Sequence, residues 1–253
     1  MSTESRELLI RTLLSIPDNG IVCASYLIKL GLSHDNLKQY VRRGHLDSIG
    51  RGAYCKHGHT PSFSAAINAA VEQLDIPLHL GGWSALGLRG LLHFLPSARM
   101  PNTLYAPVGT RLPAWFESSY ASNCVCRRTK LFPGDIGIEH REVDRFNIPV
   151  STPERAILEY LYDVPEKHSL NEAFQILEMM YNARPDLLQS LLESCCSIKV
   201  KRLFLLLSED LNQSWYEDLD VGRIGIGSGN RIIEKGGSYR NKWLVTVKDW
   251  REV

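Results

Sequence analysis

Between Asp18 and Cys55 the chain sets two short helical patterns either side of a turn at Gly31 and follows them with two glycines around a single arginine, an order that few folds accommodate. Ahead of it Leu8, Leu9, Leu13 and Leu14, with Ile10 and Ile16, recur at spacings of one, three and four, which predicts an amphipathic helix over residues 3–15. Pro17-Asp18-Asn19-Gly20 stops that helix. Ile21-Val22 is a short extended link, and residues 23–30 form the next helix with Ala24, Leu27 and Ile28 inward. Gly31 supplies a tight turn. Ser33 is suited to cap a third helix, because its hydroxyl accepts from a free N–H in the first turn, and Asp35 stands against the positive end of the helix dipole. That helix is therefore expected over residues 34–43.

On the third helix Leu37 and Val41 lie four apart and face the core with Tyr40 beside them, while Asn36, Lys38, Gln39, Arg42 and Arg43 lie opposite. Asn and Gln can bond adenine in two places and Arg can do the same to guanine, so this face suits base edges and phosphates. Gly44 ends the helix. Leu46-Asp47-Ser48-Ile49, Gly50-Arg51-Gly52 and Ala53-Tyr54-Cys55 then predict a hairpin whose glycines allow a sharp tip and present the Arg51 guanidinium. Two helices and a hairpin in this order read as a winged helix-turn-helix. From Lys29 to Lys56 there are six basic residues against two acidic ones, whereas the whole chain is only +1. Charge gathered on one small module is the footprint of phosphate contact.

The chain of 253 residues is long enough for a small domain and a larger one, each with its own core. No apolar run follows a basic N-terminal region, and no stretch approaches the ~20 apolar residues that span a bilayer, so neither export nor membrane insertion is indicated and the cytoplasm is the expected compartment. The six cysteines fit a reducing setting. Cys124-x-Cys126 and the adjacent Cys195-Cys196 lack the spacing of a structural zinc site, Cys23 and Cys55 resemble small buried hydrophobes, and buried reduced thiols are expected.

Beyond His57-Gly58-His59-Thr60, helices are expected over residues 63–74, 81–88, 169–181, 185–195 and 198–211, with a helical turn over 111–116. Residues 78–80, 102–107, 123–131 and 136–145 read as strands. Thr152 as cap and Pro153 at the first position open a further helix with the apolar stripe Ala156, Ile157, Tyr160 and Leu161. Residues 231–235 and 243–247, either side of Gly236-Gly237, predict a terminal hairpin. There are no internal repeats.

No phosphate-binding P-loop, His-Glu-x-x-His zinc helix or Gly-x-Ser-x-Gly nucleophile elbow occurs. Gly225-Ile226-Gly227-Ser228-Gly229 lacks the dinucleotide spacing and reads as a flexible connection. Asp135 and Glu139-x-Arg141 have the residue types of a metal nuclease, but the carboxylates are close in sequence and Arg stays charged where such enzymes need Lys, so a surface strand is expected. His57 and His59 have no third ligand nearby and read as linker residues. Neither a catalytic residue, a cofactor nor a metal is assigned.

Gly44-His45-Leu46 with Gly50-Arg51-Gly52-Ala53-Tyr54, then Ser151-Thr152-Pro153-Glu154-Arg155-Ala156-Ile157-Leu158, then Lys235-Gly236-Gly237 succeed one another in an order that resembles the AbiEi antitoxins of bacterial abortive-infection systems. The resemblance implies a winged helix that binds inverted repeats in the promoter of its own operon, and a larger part that counteracts a co-encoded nucleotidyltransferase-type toxin, directly or only functionally. By position, Asn36, Gln39, Arg42, Arg43 and Arg51 inherit the DNA contact. Ser33 and Lys38 complete the candidate set. The expected fold is α+β: a winged helix over residues 1–60, then a mixed domain over 61–253 with a helical C-terminal layer and terminal hairpin, a subdivision near 150 being open. Two other functions fit the residues: a winged-helix regulator with a ligand-sensing or oligomerisation domain, and a metal-dependent DNA-acting enzyme.

Overall fold

The computed structural model describes residues 7, 10–12, 14–92 and 100–251. It is α+β and divides into two compact units, one of residues 1–79, 106–128 and 140–149, the other of residues 80–105, 129–139 and 150–253. A five-stranded sheet of order β6-β5-β4-β8-β7 comprises β4 (His79–Leu80), β5 (Asn102–Pro107), β6 (Cys124–Thr129), β7 (Ile138–Val143) and β8 (Phe146–Ser151). The strand at 146–151 escapes the sequence pattern for two reasons. Its hairpin turn is Asp144-Arg145, both at positive φ without a glycine, and Pro149 interrupts an otherwise strand-like run.

In the first unit, β1 (Val22–Cys23) leads into α1 (Ala24–Lys29) and α2 (His34–Arg42), followed by β2 (Leu46–Gly50) and β3 (Ala53–Lys56) in a sheet of order β1-β3-β2. Val22, Leu27, Leu32, Leu37, Tyr40 and Leu46 form its core, with Ile16, Ala24, Val41 and Tyr54 against them. Of the stripe expected on the first helix, Leu8, Leu9 and Leu13 lie outside the described residues. Ile10 and Leu14 do not face inward, being 46% and 77% exposed.

The helix expected over residues 63–74 is α-helical as α3 (Phe63–Asn68) and widens to a π turn over Ala69–Gln73. The wider turn rotates the end of the helix, so that Gln73 is buried while Leu74 is half-exposed. Gln73 then clamps the entry to the winged helix: its Oε1 accepts from Cys23 N at 2.8 Å and its Nε2 donates to Ile21 O at 2.8 Å. Gln73→Leu leaves both backbone groups buried without partners, at a cost of roughly 1–3 kcal/mol each. Thermal unfolding of the full-length variant measures this, and an unchanged melting temperature would mean that the clamp contributes nothing.

The second unit is built around α6 (Pro153–Tyr162), against which α4 (Gly82–Leu88) packs. Thr152 accepts from Arg155 N and Pro153 opens the helix, as expected. Ala156, Ile157, Tyr160 and Leu161 are buried, but so are Glu154, Arg155 and Glu159. Helices α7 (Leu170–Met179), α8 (Pro185–Ser194), α9 (Ile198–Leu211) and the short α10 (Ser214–Glu217) form the helical layer. Ser169 and Glu172 close a reciprocal capping box at the start of α7.

The buried charges of α6 are all paired. Glu159 accepts from Gly82 N at 2.9 Å, Ser151 Oγ at 2.8 Å and Arg155 Nε at 2.9 Å. Arg155 also donates to Ile136 O at 2.7 Å and lies over the Phe132 ring. A Cβ on Gly81 would lie 2.3 Å from Glu159 Oε2, so only glycine admits this approach. Glu154 takes a two-pronged contact from Arg184 at 3.0 and 2.9 Å. Burial opposes ionisation of Glu154, but Arg184 outweighs it and holds the carboxyl below the usual carboxylate range.

The C-terminal segment pairs differently from the expected hairpin. β9 (Arg231–Ile232) runs parallel to β11 (Val245–Val247), and it is β10 (Ser238–Arg240) that is antiparallel to β11. A Cβ on Gly237 would lie 2.2 Å from the Val247 backbone, so that glycine serves close approach. The glycine-rich segment before it is also no loose connection. Arg202 on α9, 1% exposed, donates to Ile226 O and Gly229 O, both at 2.8 Å, and to Leu244 O at 3.0 Å.

Cys23 and Cys55 are buried as expected, and burial pushes the Cys23 thiol up to about 12. Cys124 and Cys126 are only half-buried and Cys196 is exposed, because β6 has no fully covered face and Cys196 lies just past the end of α8. Among the described residues, no helix is long and apolar enough to cross a membrane.

Candidate nucleic-acid interface

Helix α2 is anchored by Leu37 and Tyr40, both buried, with Val41 half-buried beside them. Ser33 caps it, its Oγ accepting from Asn36 N at 3.1 Å. Gly44 ends it at a φ of +67°, a conformation that suits glycine. Anchoring on one side leaves the other in solvent: Lys38, Arg42 and Arg43 are exposed, and Asn36 and Gln39 are half-exposed. The hydroxyl of Ser33 is occupied in the cap, so its place in the candidate set is at the helix start rather than on the outer face.

The wing adopts the expected hairpin closely. Gly50 pairs with Ala53, so Arg51 and Gly52 alone make the turn, and Gly52 takes a φ of +83°. Gly52 O accepts from Ala24 N at 2.8 Å, which ties the turn to the start of α1. Arg51 projects from this turn, exposed.

The ionic contacts divide the six basic residues of the module. Lys56 donates to Ile16 O at 2.8 Å and Asp18 Oδ1 at 2.9 Å, and that bond to Lys56 holds the Asp18 carboxyl below its ordinary value. Lys29 lies 3.8 Å from Asp75. Lys38 shares Asp35 at 3.3 Å on the outer face of α2. Among the described residues, the side chains of Arg42, Arg43 and Arg51 have no hydrogen bond or ion pair. The local excess of charge is therefore carried by three unpaired guanidinium groups, one in the last turn of α2, one on the residue that caps it and one on the wing. His57 is no free linker residue: its Nδ1 lies 2.9 Å from Asp47 Oδ1, and Gly58 N donates to Asp47 Oδ2. Those two contacts, His57 first, lower the Asp47 carboxyl from its ordinary value.

One part of this site has no signal in the motif itself. Helix α5 (Ala114–Tyr120) packs against β2, with Trp115, Phe116 and Tyr120 buried. The sequence pattern gives only a helical turn over 111–116, because Pro113 and the short apolar cluster Trp115-Phe116 mark its start and little marks its end.

The arrangement defines a winged helix of the helix-turn-helix class, joined in one chain to an α+β unit of different build. A family model described as "Transcriptional regulator, AbiEi antitoxin N-terminal domain" matches residues 6–97, and another described as "Transcriptional regulator, AbiEi antitoxin, Type IV TA system" matches residues 101–248. The chain belongs to the AbiEi antitoxin family of transcriptional regulators. Among solved structures, that of the RV2827C protein from Mycobacterium tuberculosis is similar over 97% of this chain and 92% of that one, with a TM-score of 0.58 at 13% identity, a likeness of fold alone. No curated protein matches the chain.

Proposed function

We propose that the protein is an autorepressing antitoxin: its winged helix binds inverted repeats in the promoter of its own operon, and the rest of the chain counteracts a co-encoded nucleotidyltransferase-type toxin. The observation that carries the DNA half is the exposure of Arg42, Arg43 and Arg51 without internal partners. A guanidinium in water loses little when it moves to a phosphate or to a guanine edge, and releases counterions from DNA when it does. Asn36 and Gln39 stand beside them for base edges, and Lys38 can exchange Asp35 for a phosphate. Ser33 sets the start of the helix by its cap. The toxin half rests on the family, and no single residue is assigned to it.

The reading is non-enzymatic. Glu139, which the sequence sets near Asp135 as a nuclease pair would be, accepts from Arg89 Nη2 at 2.6 Å, and Asp135 lies in an exposed turn.

Titration of operator and scrambled DNA with wild type and Arg51→Ala tests the wing. Loss of about 1–3 kcal/mol on the operator alone is expected if Arg51 reads a base, and a smaller uniform loss if it touches only phosphate. Equal binding of both proteins to both DNAs would remove the wing from the interface. Co-expression with the neighbouring gene tests the other half: growth restored by this chain supports it, and continued arrest with soluble antitoxin present counts against it.

A further inference from the structure

We infer that α5, although it lies more than sixty residues beyond the turn of the wing, is a buttress that fixes the pose of Arg51, with Trp115 and Ser119 as positioning residues for operator binding. The inference rests on the proposal that the winged helix binds DNA.

β2 is an edge strand of its three-stranded sheet, and a two-residue turn at the end of such an edge is free to swing unless something covers it. Helix α5 covers it at the residues just before the tip. Gly50 approaches Trp115 so closely that a Cβ would lie 2.7 Å from Trp115 Cβ and 3.0 Å from its Cα. Ser119 Oγ donates to Ile49 O at 3.2 Å. These contacts fall one and two residues before Arg51, where a small displacement turns the guanidinium most.

The buttress is itself held. Phe116 and Tyr120 pack on Phe63, with ring centroids 6.3 and 5.9 Å away, and on each other at 5.5 Å. Tyr120 Oη donates to Ser62 O at 3.4 Å, just past the wing. At the other end of the helix's surroundings, Arg128 donates to Thr110 O at 2.8 Å and lies 3.6 Å from Glu117. A wing held in its binding pose before DNA arrives avoids the ordering cost that a mobile wing would meet on binding. The DNA-binding unit is then discontinuous in sequence, with residues 106–128 as much a part of its function as the motif.

The test uses the full-length chain, mobility shift on its own promoter, and a double-mutant cycle. Gly50→Ala, which sets a methyl against Trp115 at a backbone φ of +156° that itself disfavours a side chain, and Ser119→Ala, which removes one exposed hydrogen bond and no such strain, are each made with Arg51 and with Arg51→Ala. Operator binding is expected to weaken about tenfold for Gly50→Ala and about two- to fivefold for Ser119→Ala when Arg51 is present, and to change by less than about twofold in either when Arg51 is absent. Circular dichroism melts of Ser119→Ala should match wild type. Losses that persist undiminished in the Arg51→Ala background, or no loss from either variant, would overturn the buttress. If Arg51→Ala has no effect while Arg42→Ala with Arg43→Ala abolishes binding, the buttress falls and the DNA reading stands. Failure of the wild type to bind its promoter would end both.

Discussion

Full-length protein carrying Arg42→Ala and Arg43→Ala should bind its own promoter at least about 2 kcal/mol more weakly than wild type, since each well-placed arginine contributes roughly 1–3 kcal/mol at a base and one counterion-releasing contact at a phosphate. The dependence of log affinity on log salt should flatten by about two units of slope if both residues reach phosphates. Its fold should not change. Both side chains are exposed and, among the described residues, neither has an internal partner, so removing them leaves nothing buried and unpaired. Stability within about 0.5 kcal/mol of wild type is expected. Mobility shift at several salt concentrations, together with a thermal melt, measures all three quantities. Full operator affinity in the double variant would take α2 out of the interface and return its charge to the role of a solvated face. The same variant should still protect cells against the toxin, because toxin neutralisation is proposed for the remainder of the chain; loss of protection by folded protein would mean that the winged helix takes part in it.

The largest loss of stability should come from Glu159→Ala. Glu159 is 1% exposed and is the ion partner of Arg155, itself 6% exposed, while also accepting from Gly82 N and Ser151 Oγ. Truncation leaves a buried guanidinium without its counter-charge, at about 3–5 kcal/mol, and two further donors unpaired. At roughly 2–4 °C per kcal/mol for a chain of this size, the melting temperature should fall by at least about 6 °C. Glu159→Gln keeps the volume and an acceptor but not the charge, and should fall between the two. A shift under about 2 °C for Glu159→Ala would show that the network does not hold this unit together. Ser151, Thr152, Glu154 and Arg155, the centre of the motif that resembles the family, are engaged in capping α6 and in ion pairs within its own unit. That motif is therefore accounted for by folding, and residues that meet a toxin are to be sought on the exposed surface.

Much of the site was legible because its determinants are local. The cap of Ser33, the turn at Gly44 and the two-residue tip at Arg51-Gly52 depend on backbone preferences of a few adjacent residues, and these act the same way in any context. The inward pattern of Leu37 and Tyr40 likewise comes from helical spacing. Where long-range contacts choose between local options, the pattern misleads. The stripe on α6 marked its apolar residues correctly but gave no sign that Glu154, Arg155 and Glu159 are buried too: Arg155 and Glu159 pair four apart on the helix, but the groups that complete their burial and that of Glu154 arrive from elsewhere, from Arg184, Gly82 and the 134–136 turn. The glycine-rich segment at 225–229 looked loose for the same reason: the arginine that holds it belongs to α9.

Charge shows the division most clearly. The count from Lys29 to Lys56 is a property of composition, and it was enough to mark the module as basic. Which of those charges remain available is a property of folded distances: Lys56 turns to Asp18 and Ile16, Lys29 lies by Asp75, and three arginines are left in solvent. Strand pairing in the C-terminal segment divides in the same way. Alternation and glycines announced strands near 231 and 245, but whether they run parallel or antiparallel is set by backbone hydrogen bonds across the sheet, and there β10 takes the antiparallel edge of β11 and leaves β9 the parallel one. Secondary structure and caps arise from neighbours in the chain and can be read there; burial of charge, strand partners and the bracing of the wing arise from residues brought together in space, for which a linear pattern carries no distance.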